Sequence, residues 1–260
     1  MKKIKRKKKP VSGKRPNFVV GFSGEDPPPG FLAAWYNQLY GGPLHIRFVE
    51  HHANSPFEVH HVDWYAVVAP GSPEEVEHWK AITGWEHGQI VQIMPHFVLG
   101  NVKQDVVLFV ARLAKGLTIL TEGTAYDVLA VRHFNPSDWS DRLLQSFFIE
   151  DHVQVLQEEH LLDGRQWIYT RGLSKFGLEE FETFLPRGLS GDSIADRLLA
   201  LGDECVRQGK SPRVGEHLCL TPDWLDVHVV NHRTHASPQG QLNLREVQWD
   251  MGISKNRPFS

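Results

Sequence analysis

Residues 169–182 constrain the fold of this 260-residue chain more than any other stretch. Gly172 and Gly177 lie between two apolar runs, and glycine adopts positive φ angles at little cost, so the stretch predicts two sharp turns. Residues 166–170 are rich in aromatic and β-branched side chains, and residues 180–185 alternate apolar and polar side chains, as strands do. We therefore predict a strand, a double turn and a second strand, and we call residues 169–182 the joint.

Two neighbouring patterns extend this prediction. Asp163 and Gly164 form a turn signal between the alternating residues 152–156 and the strand that enters the joint, which predicts a β-hairpin. Inside the joint, Leu173 and Phe176 lie beside the turns, and we expect both side chains to fill a gap in the core.

The remaining patterns predict an α+β fold with an antiparallel-rich sheet and packed helices. The first hundred residues predict the order β-α-β-β-α-β, the ferredoxin-like split unit, for the N-terminal half. Ser72, followed three residues later by Glu75, predicts a capped helix start. Residues 101–116 predict a helix that is buried on most sides and ends at its glycine, with a strand at residues 117–120. Residues 190–208 predict the longest helix.

The composition suggests three parts of unequal character. The predicted division is a disordered basic tail at residues 1–16, a single α+β domain at residues 17–235 or two α+β halves at 17–100 and 101–235, and a polar C-terminal extension at residues 236–260, in which only residues 242–249 could pair with a strand.

Charge is distributed unevenly along the chain. Nine of the 28 basic residues fall within residues 1–15, which contain no acid, so the tail carries about +9 and the rest about −12. Such a block repels itself and has little to bury, which predicts disorder. It could contact nucleic acid without sequence specificity, an anionic surface or the acidic body of its own chain, or it could act only as a solubilising tail. The candidate anion-binding residues are Lys2, Lys3, Lys5, Arg6, Lys7, Lys8 and Lys9.

Cysteine content and hydropathy bear on the cellular compartment. Cys205 and Cys219 are the only cysteines, too few for a disulfide framework, and we interpret both as buried thiols in a reducing cytoplasm. No run approaches the roughly 20 apolar residues of a membrane helix. The N-terminus also lacks the apolar segment of a secretory signal. We predict a cytoplasmic protein without membrane contact.

Fifteen histidines suggest a metal hypothesis. Residues 51–52 and 60–61 are His-His pairs, and His61 would share a strand face with Asp63 if their strand starts early. A metal site needs three or four converging ligands, which this group does not supply. His61 and Asp63 therefore remain polar candidates, and we predict no bound metal and no cofactor.

Other reactive signatures are incomplete. His228, His232 and His235 have the spacing of helical ligands, but residues 225–230 look extended, and residues four apart on a strand are separated by about 13 Å. Neither a nucleophile elbow nor a phosphate-binding or dinucleotide-binding glycine motif is present in full.

The carboxylates of the joint form the best acid–base candidate. Glu180 and Glu182 would lie on one face of a strand, about 6.6 Å apart, and paired carboxylates can perform acid–base chemistry. The alternative is that both belong to the solvated face of an amphipathic strand. Arg171 could pair with either of them.

The joint also resembles a known element. Its residues Thr170, Gly172, Leu173, Phe176, Gly177, Glu180 and Glu182 are similar to the T-x-G-L-x-x-F-G-x-x-E-x-E element of a bacterial family, the domain of unknown function numbered 4261. A looser similarity covers residues 64–220. That family has no established activity, so the resemblance implies a fold and leaves the function open.

Three functions are compatible with these patterns. The first is a non-catalytic binding or regulatory module with a protein partner or a small ligand. The second is a hydrolase or metal-dependent enzyme that uses His61 and Asp63 or the Glu pair. The third is association with nucleic acid through the basic tail. The sequence does not decide whether the protein is an enzyme.

Overall fold

The computed structural model describes residues 15–49, 55–97, 103–159, 164–185, 191–220, 225–237 and 240–249. Within them the protein is an α+β fold of two largely antiparallel sheets with helices packed on them. The first sheet contains β1 (Phe18–Phe22), β2 (Leu44–Phe48), β3 (Phe57–His61), β4 (Trp64–Pro70), β5 (Gln89–His96), β6 (Thr124–Asp127) and β7 (Arg132–Phe134). The second contains β8 (Gln154–Glu159), β9 (Gln166–Arg171), β10 (Glu180–Leu185), β11 (His217–Leu220), β12 (Leu225–Ser237) and β13 (Gly240–Trp249). The helices are α1 (Pro29–Tyr40), α2 (Pro73–Thr83), α3 (Lys103–Thr121), α4 (Pro136–Ser140) and α5 (Asp192–Gln208).

The first sheet has the strand order β2-β3-β4-β5-β1-β6-β7, with antiparallel pairs throughout. β1 is buried along its whole length between β5 and β6. Helix α3 packs on β1 and β5, and its residues 106–118 are all buried, as the apolar pattern predicts. Among the described helices, none combines the length and the apolar character that a bilayer crossing needs.

The ferredoxin-like order is not confirmed, because β3 adds a strand. β3 forms a hairpin with β4, and β4 pairs directly with β5. The composition of β3, with Glu58 and two histidines, does not by itself favour a strand. Val59 and His61 are nevertheless buried, which is the alternation of a strand with one face toward the core.

The predicted helix end at Gly116, and the strand predicted at residues 117–120, are wrong. Helix α3 continues through this glycine to Thr121. A Cβ atom at Gly116 would lie 2.7 Å from a ring carbon of Trp35. The glycine therefore allows α1 and α3 to approach closely and does not stop the helix.

The second sheet has the order β11-β12-β13-β10-β9-β8, and only the β10–β13 pair among its recorded pairs is parallel. Helix α5 packs on one face and buries Ile194, Leu198 and Leu201. The prediction that it is the longest helix is wrong, because α3 has 19 residues and α5 has 17. The segment after residue 236, predicted as a polar extension, contains β13, which lies between β12 and β10. Leu244 and Val247 of this strand are buried, so a few apolar side chains in a polar run suffice to place it inside the sheet.

The joint has the predicted double turn. Gly172 has φ +121° and Gly177 has φ +70°, and a short 3₁₀ helix (Leu173–Phe176) lies between them. Leu173 and Phe176 are buried in the core, as predicted. The predicted hairpin before the joint is β8–β9.

Two lysines connect the joint to the first half of the chain. Lys175 in the joint forms a fully buried ion pair with Asp127 at the end of β6. Lys103 at the start of α3 donates to the carbonyl oxygen of Phe176 at 2.7 Å. The joint is therefore fixed to both sheets, and its position depends on contacts that are far apart in the sequence.

The two glycines of the joint are expected to respond unequally to alanine. In Gly172→Ala the new Cβ would lie 2.4 Å from the carbonyl oxygen of His152, and the positive φ adds strain. We expect the free energy of unfolding to fall by at least about 2 kcal/mol. In Gly177→Ala the neighbour is the flexible end of Lys103 at 3.1 Å, so the expected loss is about 1 kcal/mol. Urea unfolding measures both, and wild-type stability in Gly172→Ala would contradict the geometry of the joint.

Candidate functional site

Glu180 is a structural acceptor inside the joint. Its side chain is buried, and burial raises its pKa while four hydrogen bonds to the carboxylate act in the opposite direction. The donors are the amides of Gly172 at 3.0 Å, Leu173 at 3.2 Å and Ser174 at 3.1 Å, and the Thr170 hydroxyl at 2.9 Å. The carboxylate thus stabilises the amide groups that the tight turn exposes.

Glu182 has a different set of partners. Arg233 on β12 donates to both of its oxygens, at 2.6 and 2.5 Å, and the indole nitrogen of Trp167 donates at 2.7 Å. Hydrogen bonds to Glu182 raise the pKa of Arg233, whose guanidinium also lies 5.2 Å from the Trp167 ring centroid. A buried carboxylate that accepts two hydrogen bonds from one arginine has the geometry of a structural ion pair. The sequence could not identify Arg233 because it lies 51 residues away.

Arg171 is buried at the end of β9, where its Nε atom donates to the carbonyl oxygen of Leu129 at 3.4 Å. The described ion pair of Glu182 is with Arg233. Arg171 therefore contacts the first half of the chain, and the structure does not bring it together with Glu180 and Glu182 as one reactive group.

His61 and Asp63 lie at different kinds of position. His61 is buried at the end of β3, with its ring stacked 5.5 Å from that of Trp64, and burial lowers its pKa. Asp63 is exposed in the turn that leads to β4. The two do not share a strand face. Across the part of the chain that the structure describes, no three His, Cys, Asp or Glu side chains form a group that could hold a metal ion.

The histidines of β12 are spread along an extended strand, as the sequence analysis predicted. Their rings contact separate partners: the ring centroids of His228 and His217 are 3.9 Å apart, His232 lies 3.1 Å from the Glu179 carboxylate, and the ring centroids of His235 and Trp167 are 5.0 Å apart.

The two cysteines differ in exposure. Cys205 is buried on α5, and burial raises its pKa to about 12. Cys219 is exposed, so the prediction of a buried thiol is wrong there. Its neighbour Leu218 packs against the core from edge strand β11, and adjacent strand residues point to opposite faces. The anion-binding candidates Lys2 to Lys9 and the histidines at residues 51–52 lie outside the described residues.

A surface that sequence reasoning missed involves residues 141–152, which we call the anchored segment. It has little regular structure, yet its main-chain carbonyls accept from two buried cations of α3. Arg112 donates to the carbonyls of Leu144 at 2.8 Å and Gln145 at 3.0 Å, and Lys115 donates to that of Arg142 at 2.6 Å. These bonds hold a loop in place on the rigid helix beneath it.

The anchored segment also exposes apolar surface. The side chains of Leu143 and Phe148 are 70% and 60% exposed. Leu144 between them is buried and has φ +54°, a conformation that is uncommon for a residue with a side chain and that often occurs at functional sites. Exposed apolar side chains on a well-fixed loop are typical of interaction surfaces.

A groove of about 480 Å³ separates the anchored segment from α5. The helical side of the groove is the side of α5 turned away from its buried stripe. It carries Asp196, Ala200 and Asp203, whose spacings of four and then three residues place them on one helix face. The lining residues are Phe147, Phe148, Ile149, Glu150, Asp196, Leu199, Ala200 and Asp203. The groove therefore combines an apolar floor with three carboxylates, and its lining contains no lysine or arginine.

The pKa of Asp203 is affected by the other charges in and beside this groove. Burial raises its pKa, the neighbouring Arg207 lowers it, and the Glu150 carboxylate across the groove raises it again. Glu150 and Asp203 are thus close enough to repel each other. A cation placed between them would relieve this repulsion.

His152 lies beneath the groove. Its ring is fully buried, stacks on Phe147 at 4.9 Å, and has no hydrogen-bond partner for either nitrogen among the described residues. Burial lowers its pKa well below the usual value, and the cations of Lys175 and Arg142 lower it further.

Because the pKa of buried His152 is lowered, we expect the folded protein to lose stability in acid. The unfolded chain binds a proton near pH 6.5, whereas folded His152 remains neutral to lower pH, so its contribution is complete above about pH 6.5 and is lost as pH falls. Wild-type protein should therefore lose more stability than His152→Phe between pH 6.5 and pH 5, by up to about 2 kcal/mol. Urea unfolding across this range measures it. Parallel pH profiles for the two proteins would mean that His152 is protonated in the folded state.

A second, polar concavity of about 290 Å³ lies on the other side of the anchored segment. Its two guanidiniums already have partners: Arg142 pairs with Asp151, and Arg132 donates to the carbonyl oxygen of Glu150 at 3.1 Å. It therefore offers fewer free charges than the groove.

Comparison of the chain with protein-family models, with curated proteins and with solved structures finds no match. The resemblance of the joint to the family of unknown function stays a proposal supported by the residues of the joint. The function has to be inferred from the site itself.

Proposed function

We propose that the protein is a non-catalytic binding module whose groove takes a positively charged peptide segment that carries apolar side chains. The observation that carries this proposal is the groove itself, where exposed Phe148 lies beside the carboxylates of Glu150, Asp196 and Asp203. The apolar floor would bind aliphatic or aromatic side chains, and the carboxylates would select for lysine and arginine.

The rigidity of the groove supports binding. Arg112 and Lys115 hold the anchored segment from below, so a ligand does not have to order it, which lowers the entropic cost of association. Outside the tail the chain has about twelve more acidic than basic residues. This net negative charge would also speed the diffusional encounter with a basic ligand.

Two further parts of the proposal rest on residues away from the groove. Glu180 and Glu182 have hydrogen-bond partners that explain them as structural groups, which favours binding over acid–base catalysis. The small number of cysteines supports a reducing cytoplasm as the compartment.

The test uses the full-length protein and a fluorescein-labelled twelve-residue peptide of Lys, Leu and Phe, read by fluorescence anisotropy. We expect Asp196→Asn/Asp203→Asn to weaken binding at least about tenfold, because two carboxylates of the groove lose their charge. Phe148→Ala should also weaken it about tenfold, as loss of an aromatic contact does. Binding should weaken as salt is added.

The matched control neutralises two exposed carboxylates outside the groove. Glu25→Gln/Glu86→Gln removes the same charge from exposed loop positions after β1 and before β5 and should leave affinity within about twofold of the wild type, since distant exposed charges are screened. Equal affinity in wild type and Asp196→Asn/Asp203→Asn would overturn the proposal. Tight, salt-sensitive binding of a DNA duplex, lost only when the tail is neutralised, would favour the nucleic-acid alternative instead.

A further inference from the structure

The basic N-terminal segment complements the groove in charge and in composition. Residues 2–14 carry eight Lys or Arg and no acid, with Ile4 and Val11 among them. This is the mixture of cations and apolar side chains that the groove is proposed to take, and the chain has no comparable basic block elsewhere.

The described chain begins at Arg15, whose guanidinium lies beside Gly240 at the start of β13. Thirteen residues span up to about 45 Å when extended, whereas a domain of this size has a radius of gyration of about 18 Å. The segment is therefore long enough to reach the groove.

We propose that residues 2–14 occupy the groove of their own chain, so that the module is autoinhibited until a basic partner segment displaces them. This inference rests on the proposed function, because it names a first ligand for the same groove. Release would follow whenever an anionic surface captures the segment or a tighter ligand competes for the groove. The basic tail would then regulate binding at the groove by mass action.

The expected size of this inhibition follows from effective concentration. A short flexible connection holds a tethered ligand at about 1 mM. If the free segment binds the groove with a dissociation constant of about 100 μM, the tethered copy should reduce the affinity for an added peptide about tenfold.

The experiment compares full-length wild type with a full-length variant in which seven cations of the tail are replaced by Gln. The replaced residues are Lys2, Lys3, Lys5, Arg6, Lys7, Lys8 and Lys9. The probe is a fluorescein-labelled synthetic peptide with the sequence of residues 1–15. We expect the neutral-tail variant to bind this probe about tenfold more tightly than the wild type.

Two further pairs of substitutions, each added to both proteins, show where the tail competes with the probe. Adding Asp196→Asn/Asp203→Asn to both proteins should remove the difference between them, whereas adding Glu25→Gln/Glu86→Gln should preserve it. Equal affinity of wild type and neutral-tail variant would overturn the inference. A difference that persists without the groove carboxylates would also overturn it, because the segment would then lie elsewhere.

The same data separate this inference from the proposed function. If neither protein binds the residue 1–15 probe but both bind the Lys, Leu and Phe peptide through the groove, only autoinhibition fails. If the groove variants bind both peptides as the wild type does, the proposed function fails as well.

Discussion

Asp127→Asn is expected to lower the free energy of unfolding by about 3–5 kcal/mol, because it leaves the charge of Lys175 buried without its partner. The side chains of Asp127 and Lys175 are fully buried, and the pair joins β6 of the first sheet to the joint of the second. Burial lowers the pKa of Lys175, and the Asp127 carboxylate acts in the opposite direction. Without that carboxylate, the Lys175 ammonium keeps its hydrogen bond to the carbonyl oxygen of His152 but loses the charge that directly offsets its burial.

Two controls separate this effect from a general loss of charge. Asp127→Asn/Lys175→Met removes both charges and should recover more than half of the loss, as replacing a whole buried pair often does. Glu77→Gln breaks the exposed Lys80–Glu77 pair and should change stability by less than about 1 kcal/mol. A loss below about 1 kcal/mol in Asp127→Asn would show that the pair does not hold the two sheets together.

Phe176→Ala is expected to cost about 3–5 kcal/mol, the range for removing a buried phenylalanine ring. The ring is buried in the core beneath the joint, with its edge against Phe147 at a centroid distance of 5.6 Å. The variant therefore leaves a cavity between the joint and the anchored segment. Denaturant unfolding gives the value directly.

The comparison variants define what would contradict this expectation. Phe176→Leu keeps most of the volume and should cost less than about 2 kcal/mol. Phe48→Ala removes a ring that is about half exposed and should cost well below the Phe176 value, since less apolar surface is lost from the core. If Phe176→Ala were no more costly than Phe48→Ala, Phe176 would not be part of the core.

Local signals were sufficient where a few adjacent residues determine the structure. Ser72 and Glu75 form the capping box that their spacing predicts, and Gly209 ends α5 in a left-handed conformation. Gly172 and Gly177 take the positive φ angles expected of them. At the two helix ends the stabilising contacts lie within about one turn of chain, and in the joint Glu180 accepts from amides six to eight residues away.

The predictions that failed concern segments whose structure depends on contacts with distant parts of the sequence. Gly116 is required by Trp35 on another helix, and the polar strand β3 is stabilised by its pairing with β2 and β4. For residues 242–249 the sequence indicated only that they could pair with a strand, and the interior position of β13 depends on β10 and β12, which flank it. A sequence pattern does not record which partner a segment will meet.

The candidate site was also only partly predictable from the sequence, because it is formed by residues from distant segments. The sequence pattern drew attention to Glu182, but not to its partner Arg233, which comes from another strand. The groove needs the anchored segment and α5 to meet, and nothing in the sequence marks Phe148 as exposed. The amphipathic pattern of α5 predicted its buried face and left the acidic face without an assigned role.

The most direct test of the central claim, that the groove is a binding surface, is to map where a basic peptide binds. The measurement is a titration of ¹⁵N-labelled full-length protein with the unlabelled Lys, Leu and Phe peptide, followed by backbone amide chemical shifts. We expect the largest shift changes at residues 147–151 and 196–203, the two sides of the groove. Changes concentrated elsewhere in the described fold, or none at saturating peptide, would contradict it.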